Sequence, residues 1–271
     1  MSNLQSRTIT GAILVATMVV AIILGKYSFF IFFGALVVFG LFEFFKIFET
    51  TTNIRPQKIS GILLGLLIFI SCFLIAEGRV KPMFLLLLIP SALYILIREM
   101  FRKYDNPLEN IAITLFGVLY IAIPVSLLWL IAYRENLYLY NYHLILAFFI
   151  LIWVYDSFAY LIGMAIGKRR LFERISPKKS WEGAFGGLAV SVGASILLST
   201  YFTELSMLQW ALFAILVAVF GTFGDLFESM LKRSVNIKDS GTLLPGHGGI
   251  LDRFDALFLA VPVLYLYLQF V

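Results

Sequence analysis

The chain has 271 residues, of which 61% are hydrophobic and 14% are charged, and its mean hydropathy is +0.95. A soluble domain of this size needs far more polar surface than this composition supplies, so the soluble globular classes are excluded. The net charge of +5 is explained by loops that face anionic lipid headgroups, and we therefore expect no nucleic acid partner.

Nine apolar runs along the chain are long enough, or nearly so, to cross a hydrocarbon core about 30 Å thick. They predict an all-α, polytopic integral membrane protein with about nine transmembrane helices. The first run is followed by Lys26 and another run rather than by a small-residue cleavage site, so we interpret it as an anchor. The predicted spans are 9–25, 27–45, 59–76, 82–97, 108–132, 143–166, 183–202, 206–227 and 250–270.

Lysine and arginine are distributed unevenly among the loops that nine spans define. The amino terminus and the even-numbered loops hold 16 of these cations, whereas the odd-numbered loops hold four. By the positive-inside rule, this asymmetry places the amino terminus and the basic loops 167–183 and 231–249 in the cytoplasm.

The two halves of the chain differ in their polar residues. Residues 1–150 carry charges almost entirely in loops, and we interpret them as transmembrane scaffold helices. Glu43 in this half is interpreted as an end-of-helix pair with Lys46, so Glu43→Gln is expected to be nearly silent. Residues 151–271 carry acids and small residues in or beside every span, and we interpret them as the catalytic region, with glycines that allow close helix contact.

The loop 167–183, GKRRLFERISPKKSWEG, contains six cations. Ser180 is placed to cap the helix that follows, because a serine side chain accepts from the free N–H groups at a helix start. Cations beside a helix N-terminus attract phosphate. The alternative is a loop whose cations contact only lipid headgroups, as the positive-inside rule requires.

The stretch from Gly224 to Asp255, GDLFESMLKRSVNIKDSGTLLPGHGGILDRFD, combines acids, bases and a glycine-rich loop. An ionisable group at bilayer depth costs from about 3 kcal/mol to 10 or more, so it persists only beside a wet cavity, a partner or an ion. Glycines around His247 allow backbone N–H groups to approach a phosphate closely, as in phosphate-binding nests, and the loop is not a Walker A motif.

Carboxylates at helix ends beside cations and a glycine-rich loop indicate a divalent metal bound together with a polyphosphate. Magnesium takes one or two protein carboxylates and completes its octahedron with phosphate oxygens and water. Asp225 and Asp252 are the best-placed pair of ligands, and Asp156 is a third candidate. The alternative is that Asp252 and Asp255 form buried salt bridges with Arg253, Lys232 and Arg233.

Residues 229–255, SMLKRSVNIKDSGTLLPGHGGILDRFD, resemble the signature of the phosphatidate cytidylyltransferase family at every constrained position. The segments ISPKKSWEG, residues 175–183, and DSFAY, residues 156–160, are also similar to that family, and the resemblance covers about residues 150–271. It implies that CTP and phosphatidate give CDP-diacylglycerol and pyrophosphate in a magnesium-dependent reaction. It also implies a bacterial inner membrane location with the active site on the cytoplasmic side.

The resemblance and the residues together imply a role for each candidate side chain. Metal ligation is assigned to Asp156, Asp225 and Asp252. Charge neutralisation is assigned to Lys178, Lys179, Lys232, Arg233, Lys238 and Arg253, of which Lys232 and Arg253 belong to the catalytic set. Asp239 and Asp255 complete that set by positioning these cations or a second metal ion. Substrate binding is further assigned to Ser176, Ser180, Ser229 and His247, with Gly248 and Gly249 closing the loop.

Two other functional classes are compatible with the same residues. Another CTP-dependent lipid enzyme, such as a polyisoprenol kinase or a cytidylyltransferase for a different lipid phosphate, is the nearer alternative. An ion-coupled transporter of an anionic solute would also need intramembrane acids, but transporters usually show broken helices in two repeated halves. The expected partners are CTP, phosphatidate and membrane lipids, and a homodimer is left open.

Overall fold

The computed structural model describes residues 3–134, 139–241 and 248–271. Within these ranges the chain is almost entirely helical, with one two-stranded antiparallel sheet, which confirms the expected fold class apart from that sheet. The chain forms two compact units, Met1–Asn141 with Ser234–Phe254 and Tyr142–Arg233 with Asp255–Val271. The first unit therefore includes a segment that the sequence analysis assigned to the catalytic half.

The first unit contains six α-helices and two irregular helical turns. Prolines mark the irregular points, because a proline lacks the N–H that would continue an α-helical ladder. A 3-10 turn, Pro82–Leu87, opens on Pro82, and a π-helical turn, Val118–Ala122, comes just before Pro124. The α-helices are α1 Asn3–Ile23, α2 Lys26–Thr51, α3 Lys58–Ala76, α4 Leu88–Phe101, α5 Pro107–Gly117 and α6 Ile123–Ala132.

The second unit is built on helices and a short hairpin. Its elements are α7 His143–Ile166, β1 Arg170–Phe172, β2 Ser176–Ser180, α8 Trp181–Leu198 and α9 Met207–Ser234. Helix α10, Leu251–Leu268, starts in the first unit and continues in the second. Helices α7 and α8 pack closely at glycines, since a Cβ at Gly183 would lie 2.5 Å from the Ala159 carbonyl oxygen. This contact confirms the predicted role of small residues.

Seven helices in the described ranges are long and apolar enough to cross a membrane. These helices make the chain a multi-pass membrane protein. Helix α1 adds a shorter apolar stretch, Ile9–Ile23, and α10 carries three charged residues in its first five positions. The count of nine spans and the orientation of the amino terminus stay predictions. The seven spans are Lys26–Thr51, Lys58–Ala76, Pro82–Phe101, Pro107–Ala132, His143–Ile166, Trp181–Leu198 and Met207–Ser234.

Aromatic packing forms the core of the first unit. The indole of Trp129 is fully buried and contacts the rings of Phe29 and Phe73, with centroid distances of 4.7 and 4.6 Å. Such ring pairs contribute about 0.5–1.5 kcal/mol each beyond the area they bury. They fix α2, which carries the carboxylate described next, against α3 and α6.

Candidate active site

The described parts of the signature loop, residues 238–241 and 248–251, lie in the first unit. Ser240 is buried at the centre of this loop. Its backbone N–H donates to Asp252 Oδ2 at 3.1 Å, and its Oγ lies 3.0 Å from the same oxygen. The N–H of Gly249 also donates to Asp252 Oδ2, at 3.0 Å. Asp252, in the first turn of α10, therefore ties the two ends of the loop together.

A second carboxylate reaches the loop from α2. The side chain of Glu43 is buried, and its Oε1 accepts from Ser240 Oγ at 2.5 Å and from the Leu251 N–H at 3.1 Å. Its Oε2 accepts from the Ile250 N–H at 3.0 Å. The first N–H groups of a helix have no partner within the helix, so Glu43 caps α10 from a distant part of the chain.

The predicted pair of Glu43 with Lys46 was therefore wrong, and sequence reasoning missed a residue of the site. Both oxygens of Glu43 are used by the signature loop and by α10. One signal was present in the sequence: Glu43 is the sole acid between Lys26 and Lys46, in an otherwise apolar span. An acid at that depth requires a partner.

The glycines of the loop allow this close approach. A Cβ at Gly249 would lie 1.9 Å from Ser240 Oγ and 2.0 Å from Glu43 Oε1. Gly248 has φ +82°, a left-handed conformation that favours glycine. The N–H groups of Gly249, Ile250 and Leu251 donate to carboxylates of the protein itself, and the phosphate-binding role predicted for the loop stays a prediction.

The remaining predicted residues of this loop are exposed or lie outside the described ranges. Lys238, Asp239 and Arg253 are exposed. His247 lies outside the described residues, so its assignment stays a prediction. A cavity of about 230 Å³ adjoins the loop, and its walls include Glu43, Asp239, Ser240, Gly241 and the α2 residues Lys46, Thr50 and Thr51.

The second unit holds an ion pair between the hairpin and α9. The Nζ of Lys179, at the end of β2, lies 2.5 Å from Asp225 Oδ2. Ser229, one turn further along α9, donates from its Oγ to Asp225 Oδ1 at 3.3 Å. These contacts confirm that Asp225 and Ser229 share one face of the helix.

Several carboxylates act on the Lys179 ammonium. Burial lowers the pKa of Lys179, but the charges of Asp225, Asp156 and Asp255 more than offset burial, so the pKa is raised above its ordinary value. Three acids around one ammonium leave an excess of negative charge, and carboxylate oxygens are the ligands that magnesium prefers. The acids that act on Lys179 are therefore of the chemical type that magnesium takes as ligands, and a magnesium ion at this cluster stays a prediction.

The structure describes the members of the predicted metal pair in different units. Asp225 belongs to the second unit and Asp252 to the first. Within the described residues, no group of three or more His, Cys, Asp or Glu side chains has a ready metal-binding arrangement. A metal ion shared by Asp225 and Asp252 stays a prediction.

Helix α9 contains a salt bridge between two of its own side chains, Glu228 and Lys232. The Nζ of Lys232 lies 2.6 Å from Oε2 of the buried Glu228, one turn earlier. Lys232 thus pairs with Glu228, which is not one of the partners, Asp252 and Asp255, named in the salt-bridge alternative. Arg233, the next residue, is exposed at the end of the helix.

The loop 167–183 folds into a β-hairpin. Ser180 caps α8, with its Oγ accepting from the Gly183 N–H at 3.2 Å, as predicted. Successive side chains of a strand point to opposite faces. Accordingly, Lys179 pairs with Asp225 while Lys178 is exposed, and Ser176 begins the strand. The two lysines that sequence reasoning grouped together therefore have different surroundings.

An apolar cavity of about 540 Å³ lies in the second unit. The hairpin contributes Phe172 and Ile175, and α9 and α10 contribute the rest of its wall. This cavity is of the kind that accommodates hydrocarbon chains, because its lining is almost entirely aromatic and aliphatic. The residues from the two helices are Phe220, Phe223, Leu226, Phe227, Met230, Leu259, Pro262 and Val263.

Comparison with known proteins gives matches along nearly the whole chain. The model of the cytidylyltransferase family matches residues 5–271. A phosphatidate cytidylyltransferase of Bacillus subtilis is 32% identical over 272 residues, which cover 98% of this chain and 97% of that protein. The phosphatidate cytidylyltransferase of Rickettsia felis is 36% identical over 221 residues, covering 79% and 91%. That of Staphylococcus aureus strain COL is 44% identical over 124 residues, covering 45% and 47%.

Proposed function

This chain belongs to the cytidylyltransferase family, and from that membership we propose that it transfers the cytidylyl group of CTP to phosphatidate. The products are CDP-diacylglycerol, an intermediate of phospholipid biosynthesis, and pyrophosphate. The observation that carries this proposal is the similarity to a phosphatidate cytidylyltransferase over 98% of the chain. The enzyme is thus a nucleotidyltransferase of lipid metabolism.

The reaction exchanges one phosphoanhydride for another. An oxygen of the phosphatidate phosphate attacks the α-phosphorus of CTP, the bond from that phosphorus to the bridging oxygen of the β-phosphate breaks, and pyrophosphate leaves. The attacking oxygen is already largely anionic near neutral pH, so no general base is required. Catalysis then consists of positioning the two substrates and neutralising their charge.

Cationic side chains are proposed to supply the charge neutralisation. The Lys179 ammonium lies 2.5 Å from Asp225 Oδ2 and orients that carboxylate. We assign phosphate neutralisation to the exposed cations Arg233, Lys238 and Arg253, which have the charge and the accessibility that the role needs.

Magnesium is proposed as the cofactor, held by Asp225 together with Asp156 and, as the sequence predicts, Asp252. When bound, it supplies positive charge for the phosphate oxygens during transfer. The excess of carboxylates around Lys179 supports this assignment, because a second cation offsets their mutual repulsion. Asp255 acts electrostatically on the same ammonium, and we assign to it and to Asp239 the positioning of the cations or of a second metal ion.

The membrane arrangement follows from charge and from the apolar cavity. We propose nine spans with the amino terminus and the hairpin in the cytoplasm, supported by the 16 cations that this arrangement places there. The 540 Å³ cavity supports a lipid substrate whose acyl chains are held in the second unit. A cysteine at Glu173, in the hairpin turn, should react with a membrane-impermeant thiol reagent only from the cytoplasmic side.

Labelled CTP tests the proposed reaction. Purified protein in detergent should transfer label from the α-phosphate of CTP into lipid when phosphatidate and magnesium are present. Transfer from the γ-phosphate to a polyisoprenol would instead identify a lipid kinase. Transfer from the α-phosphate only to another lipid phosphate would replace phosphatidate as the substrate.

A further inference from the structure

The carboxylate of Glu43 links the amino-terminal half of the chain to the signature loop. We propose that Glu43 is a positioning residue for the cytidylyl transfer, acting through Ser240 and the start of α10. This inference rests on the proposed function, because the loop that Glu43 holds carries the residues assigned to that reaction. It assigns a catalytic support role to α2, which the sequence predicts to be scaffold.

The contacts of Glu43 leave it little freedom. Its side chain is 2% exposed, and its two oxygens accept from one hydroxyl and two backbone N–H groups. The two N–H groups open α10, so the negative carboxylate also faces the positive end of a helix dipole. No substitution at position 43 can reproduce both acceptor oxygens at this reach.

The backbone of the loop is shaped to receive this carboxylate. A Cβ at Gly249 would lie 2.0 Å from Glu43 Oε1, and a Cβ at Gly241 would lie 2.8 Å from Glu43 Oε2. Glycine at both positions removes the side chains that would displace the carboxylate. The shape of the loop backbone is therefore complementary to the Glu43 carboxylate, and both belong to the first unit.

Ser240 connects Glu43 to a predicted metal ligand. Its Oγ lies 2.5 Å from Glu43 Oε1 and 3.0 Å from Asp252 Oδ2. Removing a group that orients a metal ligand usually lowers metal affinity or enzyme activity by about 10- to 100-fold. The loop also borders the 230 Å³ cavity, so a shift of Ser240 changes the wall of a space open to a ligand.

The central experiment compares Glu43→Gln with Glu49→Gln. Both changes remove one carboxylate from α2, but Glu49 is partly exposed and its carboxylate pairs with Lys58. Glutamine at position 43 turns an acceptor oxygen into an NH2 donor that faces N–H donors. We expect kcat to fall about 10- to 100-fold and the magnesium concentration for half-maximal activity to rise. Glu49→Gln should keep parental values.

Amide hydrogen exchange provides a second readout that does not depend on turnover. In Glu43→Gln, a peptide covering residues 248–254 should exchange faster, while peptides from α3 should exchange as in the parent. Ser240→Ala removes only the hydroxyl between the two carboxylates, and it carries the same test if Glu43→Gln does not fold. Gly249→Ala should reproduce the kinetic defect, because its methyl group displaces Glu43 Oε1.

The outcomes separate the two proposals. Parental kcat and parental magnesium dependence in folded Glu43→Gln would overturn the positioning role. A lower yield of folded protein with unchanged kcat per molecule would also overturn it, since that pattern indicates structural support alone. A parent protein without cytidylyl transfer would refute the proposed function, whereas unchanged exchange at residues 248–254 would refute the proposed link itself.

Discussion

Replacing Lys179 by alanine removes the ammonium that pairs with Asp225 and leaves the neighbouring Lys178 intact. The structure predicts a large effect at Lys179, where Nζ lies 2.5 Å from Asp225 Oδ2, and a small one at the exposed Lys178. The two variants remove the same charge from adjacent positions of one strand. Lys178→Ala is therefore a matched control for net charge and for membrane orientation.

The size of the effect follows from the burial of the ion pair. An exposed pair contributes about 0–1 kcal/mol, whereas removing one partner of a fully buried pair costs about 3–5 kcal/mol. The side chains of Lys179 and Asp225 are 27% and 36% exposed. We therefore expect a loss of about 2 kcal/mol, between these limits. That loss corresponds to about a 30-fold decrease in kcat/KM, and Lys178→Ala should lose about threefold or less.

Initial rates of CDP-diacylglycerol formation at varied CTP and fixed phosphatidate measure both variants in detergent micelles. Equal values for Lys179→Ala and Lys178→Ala would refute the argument that the pair with Asp225 matters. A defect that appears only in anionic bilayers would show that the lysines bind lipid headgroups, which is the alternative stated for this loop. Lys179→Arg keeps the charge and should recover part of the lost activity.

Three further predictions concern the same unit. Asp225→Asn should lower turnover about 100-fold, because it removes a charged metal ligand while keeping its size, and a rate within threefold of the parent at saturating magnesium would exclude Asp225 from the metal site. Ser180→Ala should lower the free energy of unfolding by about 1 kcal/mol through loss of the α8 cap, measured by thermal unfolding in detergent, and an unchanged melting temperature would contradict the cap. The raised pKa of Lys179 means that its stabilising charge is fully present below its unfolded pKa of 10.5 and is lost as pH rises through the higher folded value. Activity that depends on Lys179 should hence show no alkaline loss between about pH 7 and 9, and a loss there that Lys179→Arg abolishes would contradict this.

Local patterns in the sequence were enough to predict most helices and one cap. Apolar runs locate the spans because a helix that crosses lipid must be continuous and hydrophobic. Ser180 was predicted because capping depends on residue type and on a neighbour three positions away. Helical spacing also predicted the shared face of Asp225 and Ser229.

Contacts between distant residues could not be predicted in the same way. Ser240 and Glu43 are separated by 197 positions, and no periodic pattern relates them. The different surroundings of Lys178 and Lys179 could be predicted only if residues 176–180 were recognised as a β-strand. Proline and several charges in this loop hide the alternation of buried and exposed side chains that would mark a strand. For Glu43→Gln the sequence predicts a silent change, and the structure predicts a defect.

The separation between Glu43 and its partners has a consequence for biogenesis. Helix α2 leaves the ribosome and enters the bilayer long before residues 240–251 are synthesised, so Glu43 is inserted without the hydroxyl and N–H groups that it later binds. The nascent protein must hold this acid without its native partners until residues 240–251 have been synthesised and packed against α2. A nascent chain that has not yet reached these residues therefore carries an unpaired acid in an otherwise apolar helix.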